Sequence, residues 1–145
     1  LLVDLEGPKD GSLEEIGGHY GVIFMIQDEL LDLLGATQGA LKGQSIREGK
    51  VTGLLNHFLH AADVESRDRV WDIFTRTSAE TSDDDVAEVL DLMERQGTFR
   101  YAIDLIREQQ EQVRAKSTTL DPKLMNALTS ITEVFLKPLL DRLEP

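Results

Sequence analysis

Apolar residues recur at helical spacing along most of the chain, in runs broken by Gly, Pro, Ser and Asp. Ser12 and Glu15 form a capping-box pattern, and Ile16, Tyr20, Ile23, Gln27, Leu30, Leu31 and Leu34 follow it at helical positions, with Gly35 placed to end the run. A polar, Gly-containing loop is expected from Gly35 to Lys50. Val51, Leu54, Leu55, Phe58 and Leu59 then share one face of a second helix, and Ser66 can cap a short helix holding Val70, Trp71 and Phe74. Thr81-Ser82 leads into a helix with Val86, Val89, Leu90 and Met93 that stops near Gly97. The next helix runs from about Thr98 to Lys116 through Phe99, Ala102, Ile103 and Ile106. Asp121-Pro122 is a strong start signal for a last helix carrying Leu124, Leu128, Ile131 and Phe135, which Pro138 should kink or end. No strand pattern, repeat or low-complexity tract is seen. The predicted fold class is all-α, with about six helices in a single domain over residues 1–145.

Within the first long helix one stripe differs from the rest. At about 100° per residue, Gly21, Met25, Asp28 and Asp32 fall within roughly 60° of one another. The stripe runs from small and apolar to doubly acidic, and it is distinct from the Ile16–Tyr20–Ile23–Leu30 stripe, so the helix is expected to be buried on more than one side. Two carboxylates bordering a buried face are costly unless paired or bound to metal. Spacing alone admits either solvated or Lys/Arg-paired aspartates, or an oxygen-rich site of the kind that suits Mg²⁺.

The following loop adds cations. Lys42, Arg47 and Lys50 sit in a Gly-rich segment able to bend back over the acidic helix. Cations beside carboxylates fit a surface salt bridge. They also fit a diphosphate held by Lys and Arg on one side and by a bridging divalent ion on the other. With Gly at 35, 39, 43 and 49, this segment is expected to be mobile without ligand and, if the second reading holds, to close over the acidic face when a diphosphate binds.

Composition narrows the classes. The 145 residues suffice for one domain with its own core, and 27 acidic against 15 basic residues give a net charge of −12. That charge argues against a nucleic-acid or anionic-membrane binder. The absence of cysteine excludes disulfides, Cys-based zinc sites and thiol catalysis. No stretch approaches the roughly 20 apolar residues of a membrane span. The opening "LLVDLEGPKD" has no Met and no signal-peptide pattern, and reads as the end of an apolar element followed by a Gly/Pro loop. The expectation is a chain that starts in mid-sequence.

Phe24-Met25-Ile26-Gln27-Asp28-Glu29-Leu30-Leu31-Asp32 resembles the second aspartate-rich motif of the trans-isoprenyl diphosphate synthases, or polyprenyl synthetases, typically F-Q-x-x-D-D-x-x-D. Lys42-Gly43-Gln44-Ser45-Ile46-Arg47-Glu48-Gly49-Lys50-Val51-Thr52 is similar to the family's following loop, typically G-K-x-x-G-x-D-I-x-x-G-K-x-T, in the right order and at nearly the right separation. The run from Gly97 to Lys116 is similar to a late helix of the family. The departures are Met25 for Gln, Glu29 for Asp and Ser45 for Asp, and Lys42 aligns if one loop residue is deleted.

The resemblance implies the C-terminal portion of an isoprenoid-synthase helical bundle, from an enzyme of the geranylgeranyl diphosphate synthase type. It implies Mg²⁺ as cofactor, held by Asp28, Glu29 and Asp32, and Lys42, Arg47 and Lys50 as contacts of the substrate diphosphate. Asp28, Asp32 and Lys50 would carry the catalysis. Gly21 and Met25 would line the prenyl-chain pocket, with close helix packing at Gly21 and core filling by Met25 as the alternative. The implied substrates are an allylic diphosphate and isopentenyl diphosphate. The implied setting is a cytoplasmic enzyme, homodimeric when intact, whose N-terminal half supplies a first aspartate-rich motif. On that reading the chain alone is inactive. A non-catalytic regulatory subunit or degenerate paralogue of the same fold is the competing reading, favoured by Met25 and Ser45.

Other polar features have structural explanations. Asp83, Asp84 and Asp85 suit a helix N-terminus, where acidic groups favour the dipole. His57 and His60 lack a third ligand and read as a surface or partly buried pair. Trp71 and Phe74 are expected in the core, and the polar run from Arg107 to Lys116 on a solvated face.

Overall fold

The computed structural model describes residues 11–35 and 41–117, together with 122, 123, 125–127, 129, 130, 133, 134 and 137. Among the described residues six helices are delimited, in order α1 (Ser12–Leu34), α2 (Gln44–Arg47), α3 (Gly53–Ala61), α4 (Val64–Phe74), α5 (Asp83–Arg95) and α6 (Thr98–Lys116). The described residues between 122 and 137 are helical as well, and no strand occurs among the described residues. The all-α expectation holds. The expected helix start at Asp121, the apolar positions Leu124, Leu128, Ile131 and Phe135, and Pro138 lie outside the described residues, as does the 1–10 segment.

Side-chain caps set most of the boundaries. Thr52 Oγ1 accepts the Leu55 N–H at 3.3 Å and opens α3. Ser82 and Asp85 form a reciprocal capping box at α5, with Ser82 N donating to Asp85 Oδ2 at 3.0 Å and Asp85 N to Ser82 Oγ at 3.1 Å. The acidic run 83–85 is therefore a helix start, as the sequence pattern predicts. One boundary is corrected: α4 begins at Val64 with Asp63 as its cap, and Ser66 is the residue that donates to Asp63, through its N–H at 2.8 Å. The short carboxylate accepts more readily than a hydroxyl placed three residues later. Gly97, at φ 76°, turns the chain between α5 and α6.

The chain divides into two compact units, residues 26–103 and residues 1–25 with 104–145; α1 and α6 contribute to both. In the first unit α2, α4 and α5 pack together, and Leu30, Leu33, Ile46, Leu54, Leu55, Phe58, Val70, Ile73, Val86, Val89 and Met93 are buried. Trp71 corrects the expected core: it is 52% exposed. Val70 and Ile73 occupy the inward stripe of α4, and Trp71 lies about 100° round from Val70, outside it. Arg69 and Arg76 tie α4 to α5 through a network with Asp72, Asp85 and Glu88, including Arg69 Nε to Glu88 Oε1 at 2.8 Å and Arg76 Nη1 to Asp85 Oδ1 at 3.0 Å. These contacts hold the Asp85 and Glu88 carboxyls below their usual range, with the Ser82 bonds the largest cause at Asp85 and Arg69 at Glu88.

In the other unit Ile16, Tyr20, Ile23, Ile106 and Val113 are buried. His19 Nδ1 and Gln109 Oε1 lie 2.7 Å apart, and Lys116 pairs with Glu15. Tyr20, Ile23, Val113 and Met125 are among the side chains lining a cavity of about 240 Å³.

Candidate functional site

The end of α1 carries the three carboxylates, and the structure gives each a different environment. Asp28 is exposed and has no hydrogen bond or ion pair among the described residues. Asp32, one turn on, is half-buried, and its Oδ2 accepts both the Ser45 N–H at 3.1 Å and the Ser45 hydroxyl at 2.5 Å. Its backbone carbonyl also accepts, from Gly35 N at 3.3 Å and Gly43 N at 2.9 Å. Glu29 points elsewhere: its Oε1 takes the Gly53 N–H at 3.0 Å and its Oε2 the Leu54 N–H at 2.8 Å, at the start of α3.

The segment from 41 to 50 bends back onto Asp32, as the sequence suggests, but it is not a loose loop. It contains α2, and four contacts tie it down. Gly43 and Ser45 bond Asp32, and Arg47 Nη1 donates to the Thr81 carbonyl at 2.9 Å while its Nη2 pairs with Asp83. Gly49, at φ 61°, brings its backbone so close to Phe74 that a Cβ there would lie 2.6 Å from the Phe74 carbonyl oxygen. Gly43, at φ 66°, sits against the Val86 side chain in the same way. The premise that little ties the segment down is corrected for 41–50; the 36–40 part of the expected loop lies outside the described residues. Local composition showed the glycines. Their reason, close backbone approach to α4 and α5, depends on residues 25 to 43 positions away.

The three loop cations separate. Lys42 and Lys50 are exposed. Lys50 pairs with Glu48, which raises the amine above its ordinary value, and the charge of Asp32 adds to that rise. Glu48 is lowered in turn by Lys50 and then by Gln44, which donates to it at 2.5 Å. Arg47, by contrast, is committed to Thr81 and Asp83, with a side chain only 12% exposed.

Gly21 and Met25 lie on the exposed side of α1; Met25 is 51% exposed, and a Cβ on Gly21 would meet nothing within 4 Å. Close helix packing at Gly21 is not found among the described residues. Gln27, beside Asp28, is buried at 3% exposure with its Oε1 unpartnered among the described residues. His60 is exposed, and His57 is half-buried, stacked on Tyr101 with ring centroids 3.8 Å apart. Burial, and secondarily the charge of His60, push His57 below the ordinary imidazole value. Among the described residues no group of three or more His, Asp or Glu side chains converges as a preformed metal cage. Asp28 and Asp32 remain as a pair. Ser45 and Gly53 were not marked as functional partners by the sequence; the single hint was Ser45 standing at a motif position that is usually acidic.

Residues 2–93 match the polyprenyl synthetase family. A curated relative, a short chain isoprenyl diphosphate synthase of Methanocaldococcus jannaschii, is 28% identical over 95 residues. That alignment covers 64% of this chain and 28% of the relative, so the chain spans little more than a quarter of that protein's length. No solved structure gave a significant match. No helix among the described residues is long and apolar enough to cross a membrane.

Proposed function

Because the chain belongs to the polyprenyl synthetase family, a family of prenyltransferases, we propose that it forms the diphosphate-ionising part of an enzyme that elongates an allylic diphosphate with isopentenyl diphosphate. The observation that supports this most is the pair Asp28 and Asp32, one turn apart on α1, with the segment bearing Lys42 and Lys50 folded back onto Asp32. The geranylgeranyl type, a homodimeric intact enzyme and a cytoplasmic setting belong to the same proposal.

The residues fit Mg²⁺ in the manner that ion prefers. It keeps several waters and takes one or two carboxylates together with substrate phosphates, rather than a closed protein cage. Asp28 is exposed, and the bonds from Ser45 reach only Oδ2 of Asp32. These two residues would hold the ion, and its chemistry there would be to neutralise charge on the leaving diphosphate. Glu29 is directed at α3 and stands outside the pair.

The chain's own groups supply the rest. Lys50 and Lys42 are exposed cations for the diphosphate oxygens, and Lys50 stays protonated well above neutral pH. Such contacts stabilise most where charge develops as the carbon–oxygen bond of the allylic substrate breaks. The isopentenyl alkene then attacks the allylic cation, and loss of a proton completes the condensation. Gly21 and Met25 continue the same stripe with small and apolar surface, suited to the prenyl chain and to keeping water from the cation. The complementary set of ligands belongs to the N-terminal half of the intact enzyme, so the isolated chain should not turn over.

In the intact enzyme, Asp28→Ala should reduce turnover at least a hundredfold while the far-ultraviolet circular dichroism stays unchanged. Turnover like that of the wild type would overturn the assignment. Met25, where the family has Gln, supports a second reading as a non-catalytic helical subunit. An intact protein that binds Mg²⁺ and diphosphate yet never elongates an allylic substrate would favour it.

A further inference from the structure

We propose that Glu29 is a positioning residue that fixes the start of α3, and with it the segment carrying Lys50, rather than a metal ligand. The proposal rests on the prenyltransferase reading for its catalytic meaning and on hydrogen bonds for its geometry.

A helix begins with N–H groups that have no partner of their own. In α3 the first intrahelical bond is Asn56 N to the Thr52 carbonyl at 2.9 Å, which leaves the N–H groups of Gly53, Leu54 and Leu55. Thr52 Oγ1 takes Leu55. Glu29 takes the other two, one on each carboxylate oxygen, at 3.0 and 2.8 Å. The local sequence can satisfy one of three donors, and a residue 24 positions upstream satisfies the remainder. A carboxylate in that place is also favoured by the helix dipole.

Three further observations agree. Glu29 lies about 100° round α1 from Asp28 and about 60° from Asp32, so it leaves the stripe that the two aspartates share. Gly53 has no side chain to intervene, and a Cβ there would come within 3.2 Å of Glu29 Oε1. Reach explains the residue type: a glutamate spans to both N–H groups, and an aspartate on the same backbone falls about one carbon–carbon bond short. Only Val51 and Thr52 separate Lys50 from the pinned helix start. Holding Gly53 and Leu54 against α1 therefore restricts where the Lys50 amine can stand relative to Asp32.

Asp and Gln variants at position 29 of the intact enzyme separate the two roles. A metal ligand tolerates Asp and loses function with Gln; a positioning carboxylate of this reach is hurt most by Asp, which falls short of both N–H groups, and less by Gln, which accepts one N–H but cannot accept the other through its NH2. Glu29→Gln, which keeps the length and one acceptor, should leave Mg²⁺ affinity in the presence of inorganic pyrophosphate within twofold of wild type by calorimetric titration. Glu29→Asp should accelerate amide exchange at Gly53 and Leu54 at least tenfold and weaken pyrophosphate binding at least fivefold. A tenfold loss of Mg²⁺ affinity in the Gln variant, with Asp unaffected, would overturn the proposal. So would unchanged exchange in the Asp variant, or faster exchange with unchanged pyrophosphate affinity, which would leave Glu29 purely structural. A wild-type enzyme that binds no pyrophosphate would overturn the functional reading instead, and exchange at Gly53 and Leu54 would still decide whether Glu29 holds α3.

Discussion

Ser45 donates twice to one oxygen of Asp32, through its N–H at 3.1 Å and its hydroxyl at 2.5 Å. The family motif usually has an aspartate where this chain has Ser45, and two carboxylates this close would repel. A hydroxyl removes the repulsion and orients Asp32, and among the described residues its other oxygen accepts no hydrogen bond.

Ser45→Ala should keep the backbone bond, lose the hydroxyl bond and destabilise the fold by about 1 kcal/mol, the usual worth of such a bond. Ser45→Asp should cost more at neutral pH. Thermal denaturation of both variants checks the order, and an Asp variant as stable as wild type would contradict it.

Arg47 and Asp83 pair, but their burial is unequal, at 12% and 95% side-chain exposure. The exposed partner contributes little. Asp83→Ala should therefore be close to neutral, whereas Arg47→Ala, which also leaves the Thr81 carbonyl without its donor, should cost about 1–3 kcal/mol. Equal losses for the two variants in urea unfolding would show that the ion pair, rather than the carbonyl bond, matters.

Gly49 combines a φ of 61° with backbone contact to Phe74. An alanine meets left-handed strain and a carbonyl oxygen at once, and neither can rotate away. Gly49→Ala should destabilise by more than about 2 kcal/mol. Gly21→Ala, on an open helical surface, should be neutral or slightly stabilising. Denaturation midpoints of the two variants decide this.

His57 should titrate below the ordinary imidazole value of 6.5, because burial disfavours its charged form. A depressed folded value means that its contribution is fully present above the unfolded value and is lost as pH falls through the folded one. Stability should therefore decline as the solution is acidified below about pH 6.5. Tyr101→Ala, which removes the stacked ring, should move the titration back toward the ordinary value. Proton NMR of the His57 ring across pH 4–8 measures both, and a normal His57 titration in the wild type would refute the account.

Local chemistry sufficed for part of this protein. Helix type, most helix ends and most inward positions of α1, α3, α5 and α6 follow from spacing and caps, since 3.6-residue periodicity and end groups act within a turn or two; Val51, expected on the α3 face, instead precedes the helix and is 63% exposed. The stripe of Asp28 and Asp32 was legible for the same reason, and the paired motifs were specific enough to carry the family. The roles of individual polar groups were not. Glu29 and Arg47 were read as a metal ligand and a diphosphate contact beside their neighbours, yet one serves the start of α3 and the other the Thr81 carbonyl. Trp71 was expected inside and stands outside because Val70 and Ile73 take the buried stripe of α4. Those outcomes depend on which unsatisfied N–H, carbonyl or cavity lies opposite a side chain after folding, and residues tens of positions away provide it. Periodicity determined which elements form and which faces are apolar; the bonds that Gly43, Ser45 and the start of α3 make to the end of α1, and those of Arg47 to Thr81 and Asp83, decided which charges stay available for chemistry.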